Sequence, residues 1–129
     1  MIAVKEWLLY AIISISLVGL VVLYQVAGPY YEKGIASWYG PGFHGNRTAN
    51  GEVYDMDGIS AAHKTLPFGT IVRVVEIETG RSIVVRINDR GPFIDGRIID
   101  LSKGAAEKLG IVEKGITGVG LRILHLPTD

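Results

Sequence analysis

The strongest constraint on this chain is a stretch without any charge, running from Trp7 to Val26. Of its 20 residues only Ser14, Ser16, Gly19 and Gln25 lie outside the apolar set. As a helix it is about 30 Å long, the hydrocarbon thickness of a bilayer. It offers no polar face with which to lie on a soluble core. Trp7, Tyr10, Tyr24, Tyr30 and Tyr31 gather toward its ends, where amphipathic rings suit a membrane interface. A cleaved signal peptide is the alternative, but its apolar region usually runs about 7–15 residues. The small-residue site here, Val26-Ala27-Gly28, is followed by Pro29, which obstructs cleavage. The expectation is a transmembrane helix over residues 7–27, or an uncleaved signal anchor, with residues 1–6 as a short cytoplasmic end. Lys5 on the near side supports that orientation, although Glu6 partly offsets it. The expected location is single-pass in the cell inner membrane, with the rest of the chain in the periplasm or otherwise outside the cytoplasm.

The remainder of the chain has to fold on its own. Residues 1–27 hold 21 of the apolar side chains, and the other 102 residues hold 41. That is an ordinary soluble composition, enough for one modest core and too little for two domains. Beyond residue 27 there are 12 basic and 12 acidic groups, so no broad positive field invites nucleic acid. The absence of cysteine excludes a disulfide framework, a thiolate zinc site, a thiol nucleophile and a lipid-modified N-terminal Cys. His44, His63 and His125 lack the i, i+4 spacing of a metal site, so no metal and no cofactor are expected.

Residues 28–33 read as a short tether, 34–124 as the folded domain and 125–129 as a C-terminal tail. Ile35–Tyr39 reads as a first strand, and residues 40–58 as a long loop rich in Gly, Asn and Asp. Two β-branched runs, Thr70–Ile77 and Arg81–Ile87, meet at Glu78-Thr79-Gly80, a hairpin signal. Residues 97–101 form another short apolar run. A helix starts with Ser102 as N-cap, runs to Leu109 and stops at Gly110. Gly118–Leu124 is the last strand. Many short strands, one short helix and dense glycine predict a small closed all-β barrel.

Two loop clusters carry the chemistry. One is Thr48-Ala-Asn-Gly-Glu52-Val-Tyr-Asp55, and the other is Asn88-Asp89-Arg90-Gly91-Pro92-Phe93. Both set carboxylates beside residues that bend and fix the backbone. If alternation continues from Ile83, Val85 and Ile87, Asp89 points to the same apolar face. Desolvation there raises a carboxyl pKa, which is what general-acid cleavage of a glycosidic bond requires. The competing reading is a turn-capping or Arg90-paired Asp89. Glu52 and Asp55 are equally readable as solvated or backbone-binding loop acids. His63, among small and apolar neighbours, reads first as a hydrogen-bonded framework residue. Trp38, Tyr39, Phe43 and Tyr54 suit either sugar stacking or a small core.

Five segments occur in order: Gly34-Ile-Ala-Ser-Trp-Tyr-Gly40, Arg47-Thr-Ala-Asn-Gly-Glu52-x-Tyr-Asp55, Ala61-Ala-His-Lys-Thr-Leu-Pro-Phe-Gly-Thr70, Val85-Arg-Ile-Asn-Asp-Arg-Gly-Pro-Phe93 and Arg97-Ile-Ile-Asp-Leu-Ser102. Together they resemble the rare lipoprotein A family of septal-ring lytic transglycosylases. The resemblance implies a six-stranded double-psi β-barrel related to barwin and expansins. It implies binding of peptidoglycan glycan strands poor in stem peptides. It also implies cleavage of the MurNAc–GlcNAc bond to 1,6-anhydromuramoyl ends. It puts the family's acids on Glu52, Asp55 and Asp89, with Asp89 as general acid, and its histidine on His63. Tyr39, Tyr54, Asn88 and Arg90 are the expected supporting or substrate-binding residues. The alternative is a non-catalytic glycan-binding or expansin-like wall-loosening module. Many family members attach through a lipidated cysteine. With none here, the N-terminal helix is expected to take over that task. Cell-envelope or division proteins are the expected partners beyond glycan and membrane.

Overall fold

A computed structural model describes residues 4–128. Helix α1 spans Val4–Ala27, and every side chain described in it is exposed. Six strands and one short helix come after it: β1 (Glu32–Tyr39), β2 (Ser60–His63), β3 (Ile71–Glu76), β4 (Ser82–Asp89), β5 (Arg97–Ser102), α2 (Lys103–Leu109) and β6 (Thr117–His125). The strands close into a barrel in the order β1-β5-β2-β4-β3-β6. Two pairs, β1–β5 and β2–β4, are parallel and the other contacts are antiparallel. Apart from the β3–β4 hairpin, strands consecutive in sequence cross rather than neighbour one another, which is the double-psi arrangement.

Alternation makes the core. Val72 and Val74 of β3, Val85 and Ile87 of β4, Ile99 and Leu101 of β5, and Val119 and Leu121 of β6 all point inward and are fully or almost fully buried. Each contributes about 1.5–3 kcal/mol through removal of apolar area from water. Ala36 and Ala61, also fully buried, complete the core cluster. The β3–β4 hairpin and the capped helix stand where the sequence signals put them. Ser102 accepts a hydrogen bond from Ala105 N–H, and Gly110 takes a left-handed φ of 82° as C-cap.

Two elements depart from the sequence reading. β2 carries no strand signal, because its four residues, Ser-Ala-Ala-His, are all buried and show no alternation. A central strand with both faces covered loses the period-two signal. β1 begins at Glu32, so Glu32 and Lys33 already pair with Leu121 and Gly120 of β6.

The long loop between β1 and β2 is tied down at its C-terminal end. Helix α2 lies so close to it that a side-chain carbon at Gly104 would sit 2.5 Å from Asp57 O. Gly104 N–H donates instead to Met56 O at 2.7 Å.

Candidate active site

A break in regular pairing builds the site. Ala61 of β2 lies opposite Ile87, but the next residue, Ala62, lies opposite Asp89, so Asn88 is an extra residue in β4. Such a bulge re-aims the side chain that comes after it. Asn88 is buried, with its amide donating to Glu52, while Asp89 lines an open cleft on the outer face. The expectation that Asp89 continues the apolar face is thereby corrected: alternation stops one residue short of it.

Ala62 also lies opposite Asp100 of β5. Asp89 and Asp100 therefore flank one small residue on the same outer face, with about 10 Å between their Cα atoms, the width of two strand spacings. An open cleft of about 320 Å³ lies over them. Tyr39 and Phe43 form one wall, and the loop from Arg90 to Ile94 forms the other. Phe93, on that rim, is 86% exposed, which is unusual for so large an apolar side chain outside a binding surface.

The two carboxylates are held differently. Asp89 Oδ1 accepts 2.9 Å hydrogen bonds from the backbone N–H groups of Ala49 and Arg90. Its Oδ2 faces the Tyr39 hydroxyl at 3.5 Å. Asp100 Oδ1 accepts from the Ser37 hydroxyl. Burial, and next the Asp89 charge, push the Tyr39 phenol well above its usual range, so it stays protonated and can only donate to a carboxylate. Tyr39 is stacked on buried Tyr54 at 4.4 Å, and Tyr54 donates to Tyr39 O at 2.6 Å. Tyr54 thus braces the cleft wall from behind.

Arg90 does not pair with the Asp89 side chain. Its guanidinium donates to Leu66 O at 2.9 Å and lies 3.9 Å over the Phe68 ring. Glu52 lies outside the cleft lining, in a bidentate pair with Arg86 at 2.7 Å for both bonds. Asn50 and Asn88 donate to it as well. These donors, Arg86 foremost, hold its carboxyl at about 2. Glu52 thereby pins the loop whose Ala49 N–H reaches Asp89. Asp55 also lies outside the cleft and caps its own turn, accepting from Asp57 N–H at 3.0 Å. His63 is buried; its Nδ1 accepts from Thr65 and Leu66 N–H, so its ring proton is on Nε2, 2.8 Å from Glu32.

Sequence reasoning assigns no role to Asp100. The signal is there: a lone acid between Ile99 and Leu101, two residues that belong in a core. Glu32, which reads as part of a tether, is equally silent because its partner is 31 positions away.

The Glu52–Arg86 pair carries a prediction. Glu52 is 41% exposed in its side chain, so solvent screening leaves about 1 kcal/mol for Glu52→Gln to remove. The carboxyl falls from its ordinary 4.5 to about 2 on folding, so the contribution is complete above pH 4.5 and is lost as pH falls through 2. Thermal melts of wild type and Glu52→Gln should differ at pH 6 and converge toward pH 2. A constant difference across that range contradicts the assignment.

Known proteins share the sequence and the fold of this barrel. A family model described as lytic transglycolase matches residues 31–121. The chain is 62% identical over 94 residues to a probable endolytic peptidoglycan transglycosylase RlpA of Synechocystis, covering 73% of this chain and 29% of that protein. It is 54% identical over 91 residues to the endolytic peptidoglycan transglycosylase RlpA of Campylobacter jejuni, covering 70% and 33%. It thus spans about a third of the length of these curated relatives. An expansin from Clavibacter michiganensis shares the fold, with a TM-score of 0.57, 22% identity, and coverage of 75% of this chain and 52% of that one. With a match that takes in the whole barrel apart from its last few residues, the chain belongs to the lytic transglycolase family of double-psi barrels.

Proposed function

We propose that this protein is an endolytic peptidoglycan transglycosylase that cleaves the MurNAc–GlcNAc bond of peptide-poor glycan strands. The observation that carries the reading is the asymmetric setting of Asp89. One oxygen is occupied by two backbone donors, and the other opens on the cleft. Oδ2, free of backbone donors, is the oxygen positioned to pass a proton. Asp89 gives it to the glycosidic oxygen as the bond to muramoyl C1 breaks. Positive charge develops at C1 and the ring oxygen, and the Asp100 carboxylate across Ala62 stabilises it. Asp89, now a carboxylate, takes the proton of the C6 hydroxyl as that oxygen bonds to C1. One C–O bond breaks, one forms and the proton returns to the acid, so no water is consumed. Tyr39 holds Oδ2 in place. Glu52, Asn88 and the loop they fix are positioning groups. Phe43 and Phe93 offer aromatic faces to the C–H faces of pyranose rings.

The helix α1, about 36 Å long at 24 residues, supports a single-pass anchor in the cell inner membrane with the cleft in the periplasm. The deciding experiment incubates the full chain in detergent with peptide-free glycan strands and reads products by mass spectrometry. New 1,6-anhydromuramoyl ends are expected. Sedimentation with sacculi without new ends would leave a binding module and overturn the enzymatic reading.

A further inference from the structure

The side of the barrel opposite the cleft has its own chemistry. In the ring of six strands the cleft is centred on β5 and β2, so the far side is β3 and β6. On that outer face Arg73 of β3 lies directly opposite Arg122 of β6. Lys33 of β1 lies opposite Gly120, two residues along the same face of β6. Among the described residues none of these three cations is in a salt bridge with an acid. Arg73 and Arg122 line a concavity with Val75, Gly80 and Ser82.

The chain leaving α1 is fastened to this same face. Arg122 donates to Gly28 O, and Tyr31 N–H donates to Leu121 O at 2.8 Å. The Arg122 guanidinium lies 4.1 Å over the Tyr30 ring, with the Lys33 ammonium 5.9 Å from it. Gly120 leaves the room: a side-chain carbon there would come within 2.5 Å of that ring. The residues that connect the apolar helix to the barrel are therefore clamped onto it rather than free.

We infer that the Lys33–Arg122–Arg73 face rests on anionic phospholipid headgroups and thereby aims the cleft away from the bilayer. The inference rests on the proposed anchoring. Three cations without an acid partner beside the exit of an apolar helix complement a negative lipid surface. A clamped connection of a few residues keeps them within reach of it. The cleft, half a turn around the barrel, then faces outward, where polymer strands would lie.

The natural absence of cysteine makes the test direct. The full chain carries one fluorophore at Ser82→Cys, on the basic face, or at Asp95→Cys, on the exposed loop beside the cleft. It is reconstituted in vesicles with spin-labelled headgroups, either phosphatidylcholine alone or with phosphatidylglycerol. Quenching at Ser82 should exceed that at Asp95 severalfold with the anionic lipid. Lys33→Gln with Arg73→Gln should bring the two labels level, each neutralisation weakening attraction about fivefold. Arg122 is left intact because it holds the clamp. Flotation with vesicles in 1 M salt reports the anchor separately. If the chain floats and the two labels are quenched equally, the face assignment is wrong and the anchor stands. If the chain does not float, the anchor falls, and the same label pair on anionic vesicles at low salt decides the face: selective quenching at Ser82 supports it and none refutes it.

Discussion

Asp89→Asn should lower the yield of anhydro-ended products by about 10²–10⁴-fold, the usual contribution of a positioned acid–base group. The amide is nearly isosteric. Its oxygen can still accept from Ala49 and Arg90 N–H, so the bulge and the loop above it are kept. What is lost is a group able to give a proton to the leaving oxygen and then take one from the C6 hydroxyl. Sedimentation with glycan should therefore change little while product disappears. Asp100→Asn is the informative companion, because it removes a negative charge from the same cleft without touching the proton path. Its loss should be smaller, on the order of 10²-fold, matching the removal of one electrostatic stabiliser. If Asp89→Asn keeps full activity and Asp100→Asn abolishes it, the two roles are exchanged.

Ser102→Ala should cost about 3 kcal/mol, although the residue touches no substrate. Ser102 is fully buried. Its hydroxyl oxygen accepts from Ser60 N–H and Ala105 N–H, both at 3.2 Å, and it donates to Gly58 O at 2.7 Å. One atom thus caps α2, starts β2 and closes the end of the long loop. Its removal forfeits the cap, worth about 1 kcal/mol, and strands further polar groups at about 1–3 kcal/mol. For a barrel of this size the melting temperature should fall by roughly 10–20 °C. Circular dichroism of the full chain in detergent measures it. A fall of less than about 3 °C would show that the Gly104–Met56 contact alone holds this corner.

Legibility in the sequence tracks the locality of the signal. The β3–β4 turn, the Ser102 and Gly110 caps and the apolar helix are written within a few adjacent residues, and each is readable there. The barrel family is readable because several such segments occur in fixed order. Asp89 is legible as a residue but not as a direction, because a bulge is set by Ala61 and Ala62 across the ladder and not by the alternation of β4. Asp100 escapes notice for a related reason: only the closed barrel brings β5 beside β2 and makes one cleft of positions 11 apart. Glu52 shows the converse. It reads as a loop acid free to act, yet Arg86, 34 positions on, engages both of its oxygens.

The pairing of β1 with β6 has a consequence for how such a barrel comes into being. β6 is the strand that joins β1 to β3, so without residues 117–125 both of those are open edges. Contacts of such long sequence separation form late and slowly. A growing polypeptide cannot close the ring until residues 117–125 have emerged from the ribosome. The cleft residues Tyr39, Asp89 and Asp100 all precede β6, on β1, β4 and β5, which are joined through β2 without it. The last strand to be made is thus the one that turns an open five-stranded sheet into a closed ring.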